Sequence, residues 1–383
     1  MCEEPSVGAM QTTSQHMIPI ARPLITDEEK RLVMEVLESG RLVAGRRVRE
    51  FEEAFSTYLG AAHGIGTSSG TAALVVALEA AGVAPGAGVI TTPFSFVATA
   101  NAILHRNARP VFVDIDPRTY NLDPDAVADA LGRTPDVQAI LPVHLYGLPC
   151  RMDAMMRVAR GSRLLVIEDA AQAHGAVFQG RRAGTFGDVG VFSFYPSKNL
   201  TTGEGGMIVT DQPAVAERAR MLVNCGQTGE YVYEAVGYNY RMTEIAGALG
   251  GVQLAHLDAR NARRREHAAR LSAGLAGLEW LTLPEEPRDC IHVYHQYTVR
   301  APRVRDRLAR HLEAQGVGTR VYYPQPIHQS PLYRRLGYGD VRCPEAERAA
   351  QEVLSIPVHP ALTADELDRI VHAIRRFDPR QTE

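Results

Sequence analysis

The stretch DVGVFSFYPSKNLTTGEGG, residues 188–206, decides how the rest of the chain is read. Residues 189–194 are apolar and predict a buried strand, which stops at Tyr195-Pro196 because proline cannot donate to a sheet ladder. The strand end hands Ser193 and Lys198 to a turn, and glycines 203, 205 and 206 lead into a second strand over 207–210. A lysine just past a buried strand, among Ser, Asn, Thr and Gly, lies where donors can converge on an anion. Its amine can form a Schiff base with a carbonyl once partial desolvation lowers its pKa. A lone loop lysine is more often a solvated charge, so this reading depends on what the rest of the chain supplies.

Working outward, apolar strand-like runs alternate with helical runs. Strands are predicted over 64–67, 88–91, 110–114, 138–143 and 163–168, with helices over 70–81, 96–106, 124–131 and 152–160 between them. Two helices precede this pattern. One covers 26–39, with Thr26 and Glu29 as a capping box and Gly40 as its stop; the other covers 48–59 and ends at Gly60. Alternating strands and helices predict an α/β fold, a mostly parallel sheet covered by helices on both faces. Such sheets bind ligands at the carboxyl ends of their strands. After residue 247 a long helix to 278 is expected, then a smaller α+β segment. That segment has strands over 294–300 and 318–323 and helices over 304–315 and 363–376. The predicted organisation is a flexible arm (1–16), a large domain (17–250) and a small C-terminal domain (251–383).

Composition excludes several classes. The net charge of −3 offers no field for nucleic acid or an anionic membrane, and the Arg-rich run 260–265 reads as a solvated helix face. No apolar run approaches a membrane span, and residues 1–16 carry no secretory apolar core. The five cysteines have no paired spacing, so no disulfide framework or metal site is expected and the location is read as cytoplasmic.

Three features carry chemistry together. TSSGTAAL, residues 67–74, puts small residues and hydroxyls at a helix N-terminus, an anion site suited to phosphate; a plain Ser cap accounts for the same residues. VIEDAAQAHG, residues 166–175, ends a strand in Asp169, a carboxylate that needs a positive partner such as a protonated pyridine nitrogen; an Asp capping the next turn accounts for the same residue. His174 in that stretch reads as a packed imidazole. Lys198 follows 29 residues after Asp169. A phosphate site, a carboxylate for a ring nitrogen and an amine for an aldehyde are the three anchors of pyridoxal 5'-phosphate. Phe96 is the aromatic that would stack on the ring, with Phe94 the second choice; core packing accounts for both as well.

These motifs occur in an order that resembles the DegT/DnrJ group of pyridoxal-phosphate-dependent sugar aminotransferases, of aspartate aminotransferase fold type I. The resemblance covers about residues 18–376 and rests on SGTAAL (69–74), PVFVDID (110–116), PVHLYG (142–147), EDAAQAHGA (168–176), FSFYPSKNLTTGEGG (192–206), GYNYRMTEIAGALG (237–250) and SIPVHP (355–360). It implies that Lys198 holds the cofactor, Asp169 pairs with the ring nitrogen, Gln172 bonds the ring oxygen and Phe96 stacks on the ring. It also implies that Gly70, Thr71 and Ser193 bind the phosphate, and that Asn239 and Arg241 reach into a second subunit's site, so the active unit is a homodimer. Apart from the resemblance, Tyr322, Tyr323 and His328 in VYYPQPIH (321–328) are candidate substrate contacts, and a packing role accounts for them equally well.

The implied reaction moves an amino group from glutamate or glutamine to a keto-deoxy sugar on a nucleotide. Glu204 in the TTGEGG ending suggests C4 of the sugar. C3 nucleotide-sugar and scyllo-inosose aminotransferases share most of the motifs. A related dehydratase branch has histidine in place of the lysine, so Lys198 argues against it. A non-catalytic sensor of the same fold would be expected to lack one of the anchors, and all are present.

Overall fold

Residues 17–381 are described by a computed structural model; the expectation for residues 1–16 lies outside them. Seven strands form one sheet: β1 (His63–Thr67), β2 (Gly88–Thr91), β3 (Arg109–Phe112), β4 (Val137–Leu141), β5 (Leu165–Asp169), β6 (Val189–Ser193) and β7 (Gly206–Thr210). Their order is β1-β7-β6-β5-β4-β2-β3. β5 runs parallel to β4 and β6, and β2 parallel to β4 and β3. Only β7 is reversed, pairing antiparallel with β1 (His63↔Thr210) and with β6 (Ser193↔Gly206). The sheet is therefore mostly parallel, as the alternating pattern predicts.

Strand periodicity decides which way the key side chains face. Phe192 on β6 and Phe194 just past its end point the same way and pack on Phe51 and Phe55, with ring centroids 5.0 to 5.7 Å apart within this cluster. Each such ring, fully buried, contributes roughly 1.5–3 kcal/mol. Val191 and Ser193 take the opposite face, where Val191 packs with helix Gly70–Ala80. That helix is buried almost all round, so it lies in the core rather than on it. At the chain's other carboxylate, the same alternation sends Glu168 and Asp169 to opposite sides of β5. Glu168 is wholly buried and accepts from His144 Nε2 (2.8 Å), Gly184 N (2.8 Å) and Gly187 N (2.6 Å).

A second core forms around the antiparallel pair β8 (Tyr297–Arg300) and β9 (Val353–Ile356), with helices Leu257–Leu275, Arg305–Ala314 and Ala364–Arg375. Two segments cross the expected division at residue 250. Ile18 is fully buried in this second core and bridges Val317, while Ile327, Tyr333 and Ala346 pack with Phe94, Phe112 and Tyr146 near the large sheet.

Three details differ from the sequence reading. The helix expected over 247–278 is two helices, Glu244–Ala255 and Leu257–Leu275, broken at His256. The first starts earlier, because the Thr243 hydroxyl caps it at Ala246 N. No continuous strand forms over 318–323; that segment makes only an isolated bridge from Arg320 to Ser355. The run 260–265 is not a uniformly solvated face. Arg264 is buried and donates to the Tyr294 and His295 carbonyls, Arg265 pairs with Glu286, and Arg260 lies 3.6 Å from buried Glu29. Burial pulls the Arg264 guanidinium down to about 10.

Candidate active site

The carboxyl ends of β1, β5 and β6 open onto one cavity of about 880 Å³. Lys198, Asp169, Gln172, Ser193, Gly70, Thr71, Phe96 and Tyr322 all line it. These residues come from five separate stretches of chain, and the parallel sheet is what gathers them.

The anion end is built from the start of helix Gly70–Ala80. Ser69 caps it, its hydroxyl accepting from Ala72 N at 3.1 Å and its carbonyl accepting from Ala73 N at 3.0 Å. The Gly70 and Thr71 amides have no partner among the described residues. Free amides and the helix dipole both favour an anion there. Ser193 stands close over this turn: a Cβ at position 70 would lie 2.6 Å from the Ser193 Cβ and 3.0 Å from its Oγ. Glycine is thus required for the hydroxyl and the helix end to face the same point.

At the carboxylate end, Asp169 is 4% exposed. Its Oδ2 accepts from Thr99 Oγ1 at 2.8 Å and its Oδ1 from Ala171 N at 3.1 Å. Burial pushes this carboxyl up, and the Thr99 and Ala171 donors and the Lys198 charge oppose that. Between the two ends lies Lys198, whose amine hydrogen-bonds no other described residue. Burial lowers its pKa to about 8, against the opposing attraction of Asp169. Near neutral pH a useful fraction of this amine is therefore unprotonated and nucleophilic.

That depressed pKa has a measurable consequence. The folded value lies below the ordinary 10.5, so the charged amine destabilises the folded chain at and below pH 8. Replacing Lys198 by Met is expected to stabilise the cofactor-free protein at pH 7 by about 1–3 kcal/mol, after allowance for solvent in the cavity. The advantage should shrink as pH rises through 8 towards 10, where the folded-state amine is already neutral, and should vanish above the ordinary 10.5, where the amine is neutral in both states. Denaturant midpoints at pH 7 and pH 10 measure it; a less stable variant at pH 7 would contradict the depressed pKa.

Gln172 is oriented by its surroundings. Its Oε1 accepts from Tyr146 N at 2.7 Å, so Nε2 is the end that donates to the Tyr323 hydroxyl at 3.2 Å and faces the cavity. Of the two candidate aromatics, Phe94 is fully buried against Tyr120 and Tyr323, whereas Phe96 is 57% exposed and lines the cavity. His174 is packed between Phe192 and Phe194, and burial drives its ring down to about 3, so it is neutral.

Three expected residues are not in the cavity. His328 is a correction: it is wholly buried, 3.2 Å from Glu347 and beside the Phe112 ring, because its helical turn packs under the aromatic cluster instead of facing the site. Asn239 and Arg241 lie outside the cavity of their own chain. They run along the edge of β1, where Arg241 bridges Thr67 and donates to Asn224 Oδ1 at 2.9 Å. The cavity also holds residues that sequence reading missed: Ser95, Thr99, His295, Gln296 and Arg320. Ser95 and Thr99 flank Phe96, and their paired hydroxyls were the available signal; the others had none. Among the described residues no group of His, Cys, Asp or Glu could hold a metal ion, and no helix is long and apolar enough to cross a membrane.

A lysine amine, a buried carboxylate and a helix-end anion cradle around one cavity, on this sheet, define a pyridoxal-phosphate-dependent aminotransferase. The chain belongs to the DegT/DnrJ/EryC1/StrS aminotransferase family, whose model matches residues 23–375. It is 44% identical to the pleiotropic regulatory protein of Geobacillus stearothermophilus over 91% of this chain and 94% of that one. It is 42% identical to the dTDP-3-amino-3,4,6-trideoxy-alpha-D-glucose transaminase of Streptomyces venezuelae, over 91% of each. The solved structure of S. venezuelae DesV in complex with a ketimine intermediate is 40% identical, with a TM-score of 0.90 over 94% of this chain and 100% of that one. The cofactor is pyridoxal 5'-phosphate, and solved neighbours include its aldehyde and amine forms. The residues present fit it: a partnerless amine, unused helix-end amides under a glycine that leaves room, and a buried carboxylate with lone pairs to spare.

Proposed function

We propose that this chain transfers an amino group from glutamate, or glutamine, to a keto-deoxy sugar carried on a nucleotide. The observation that carries the reading is the convergence of Lys198, Asp169 and the Gly70 helix end on one cavity large enough for cofactor and sugar. When bound, pyridoxal phosphate supplies an electron sink beside the amino acid's α-carbon. Lys198 would hold the cofactor, and its amine, when free, would take and return the proton at the substrate carbon. Asp169 would keep the ring nitrogen protonated, Gln172 Nε2 would donate to the ring oxygen and Phe96 would cover the ring. The Gly70 and Thr71 amides and the Ser193 hydroxyl would take the phosphate. Tyr322, with Arg320 and Glu204, faces the incoming sugar.

Asn239 and Arg241, on an edge outside their own cavity, fit a homodimer in which each copy completes the other's site. For position on the sugar, Glu204 at the cavity supports C4. C3 is the second reading, favoured by the name of the 42%-identical transaminase. The product would be an amino sugar for a surface polysaccharide or natural product, made in the cytoplasm. A regulatory role, suggested by the name of the 44%-identical relative, would not require the intact anchors this chain keeps.

The test is a panel of 4-keto and 3-keto nucleotide sugars and scyllo-inosose, each with cofactor and glutamate, read by mass spectrometry. An amino sugar from a keto nucleotide sugar is the expected product. Turnover of scyllo-inosose alone, or of no acceptor in the panel, would overturn the reading.

A further inference from the structure

Ser95, Thr99 and Asp169 form a chain of buried side chains, 4%, 1% and 4% exposed. Thr99 Oγ1 lies 2.8 Å from Asp169 Oδ2, and Ser95 Oγ lies 3.0 Å from Thr99 Oγ1. An ionised carboxylate only accepts, so the one proton of Thr99 goes to Asp169. Thr99 then has only lone pairs to offer Ser95, so Ser95 must be the donor of that pair. The direction of the whole chain, Ser95 to Thr99 to Asp169, is thus set by the charge on Asp169. Donors aligned in series polarise one another and strengthen the last bond. Were Asp169 to take up a proton and donate it to Thr99, both hydroxyls would have to turn round. The other groups facing Asp169 are Lys198, His144 and the Tyr323 hydroxyl. The His144 ring is occupied by Glu168 at 2.8 Å and by the Cys150 amide at 3.0 Å, so it does not compete for the carboxylate.

We propose that Ser95 and Thr99 are positioning residues that hold the Asp169 carboxylate ionised and oriented, so that the proton it shares with the cofactor's ring nitrogen stays on the nitrogen. This rests on the assignment of Asp169 to that nitrogen. Both hydroxyls follow β2 while Asp169 ends β5, so the relay ties two strand ends together across the cavity floor. Thr99 acts through Asp169 and touches none of the reacting atoms.

The test is ¹⁵N NMR of the holoenzyme loaded with ring-¹⁵N pyridoxal phosphate, titrated with pH. Thr99→Val keeps the volume and removes the hydroxyl. The ring nitrogen's apparent pKa is expected to fall by about one unit, a roughly tenfold change in its protonation equilibrium. Thr99→Ser should restore the wild-type titration. Ser95→Ala, which leaves every direct contact of Asp169 in place, should move it the same way by less, and it carries the test if the valine variant does not fold. Wild-type titrations in both Thr99→Val and Ser95→Ala would overturn the relay. An Asp169→Asn enzyme with a wild-type titration would instead overturn the assignment of Asp169 beneath it.

Discussion

Replacing Lys198 with alanine is expected to abolish covalent attachment of the cofactor and to lower kcat by about 10³-fold or more. General acid–base catalysis alone contributes about 10²–10⁴-fold, and on the proposed assignment this amine also holds the cofactor. No other described amine lines the cavity. His174 is sealed between two phenylalanine rings, and burial keeps His295 far below its ordinary pKa, so neither is poised to act as the missing base. The variant should still fold, because the amine makes no hydrogen bond to the rest of the protein and its charge is a cost in the folded state. Steady-state kinetics with the absorbance spectrum of the reconstituted variant measure both effects. Activity within tenfold of wild type would remove Lys198 from the mechanism.

The second large effect is expected from Asp169→Asn. The amide has the size of the carboxylate and can still meet Thr99 and Ala171, so the local packing survives. What is lost is the negative charge that, on the proposed assignment, keeps the cofactor's ring nitrogen protonated. A preorganised electrostatic group of this kind is worth about 10²–10³-fold, so kcat should fall by about 10²-fold or more. Stability should move the other way. Burial raises the Asp169 pKa above its ordinary value, so ionisation destabilises the folded, cofactor-free protein once the pH exceeds the ordinary carboxyl value. The asparagine variant should therefore be at least as stable as wild type at pH 7 without cofactor. Thermal midpoints alongside kcat separate the two: a variant that loses both activity and stability would mark Asp169 as a structural residue.

The candidate anchors that the fold gathers around one cavity were readable in the sequence because each sits at a strand end within a short local pattern. Small residues before a helix mark Gly70 and Thr71, an apolar run ending in a carboxylate marks Asp169, and an apolar run broken by proline marks Lys198. What could not be read was what meets what across the fold. The insertion of β7 between β1 and β6 depends on pairing residues 63–67 with residues 206–210, which no local pattern encodes. His295, Gln296 and Arg320 enter the cavity from the second core, some hundred residues after Lys198, without a motif of their own. His328 was open to two readings, a substrate contact or packing, and its motif VYYPQPIH could not choose between them; the chain turns there and packs the imidazole against Phe112. The Arg-rich run misled because hydropathy counts arginine as solvated, whereas the Arg264 side chain satisfies two carbonyls inside the second core.

The central claim is that Lys198 carries a pyridoxal phosphate that accepts an amino group. Titrating the purified, cofactor-loaded protein with glutamate while recording the visible absorbance spectrum tests it most directly. The expected result is a band from cofactor bound to Lys198 that glutamate converts to the spectrum of the amine form, with release of 2-oxoglutarate. A band that neither glutamate nor glutamine changes, or one that survives in Lys198→Ala, would contradict it.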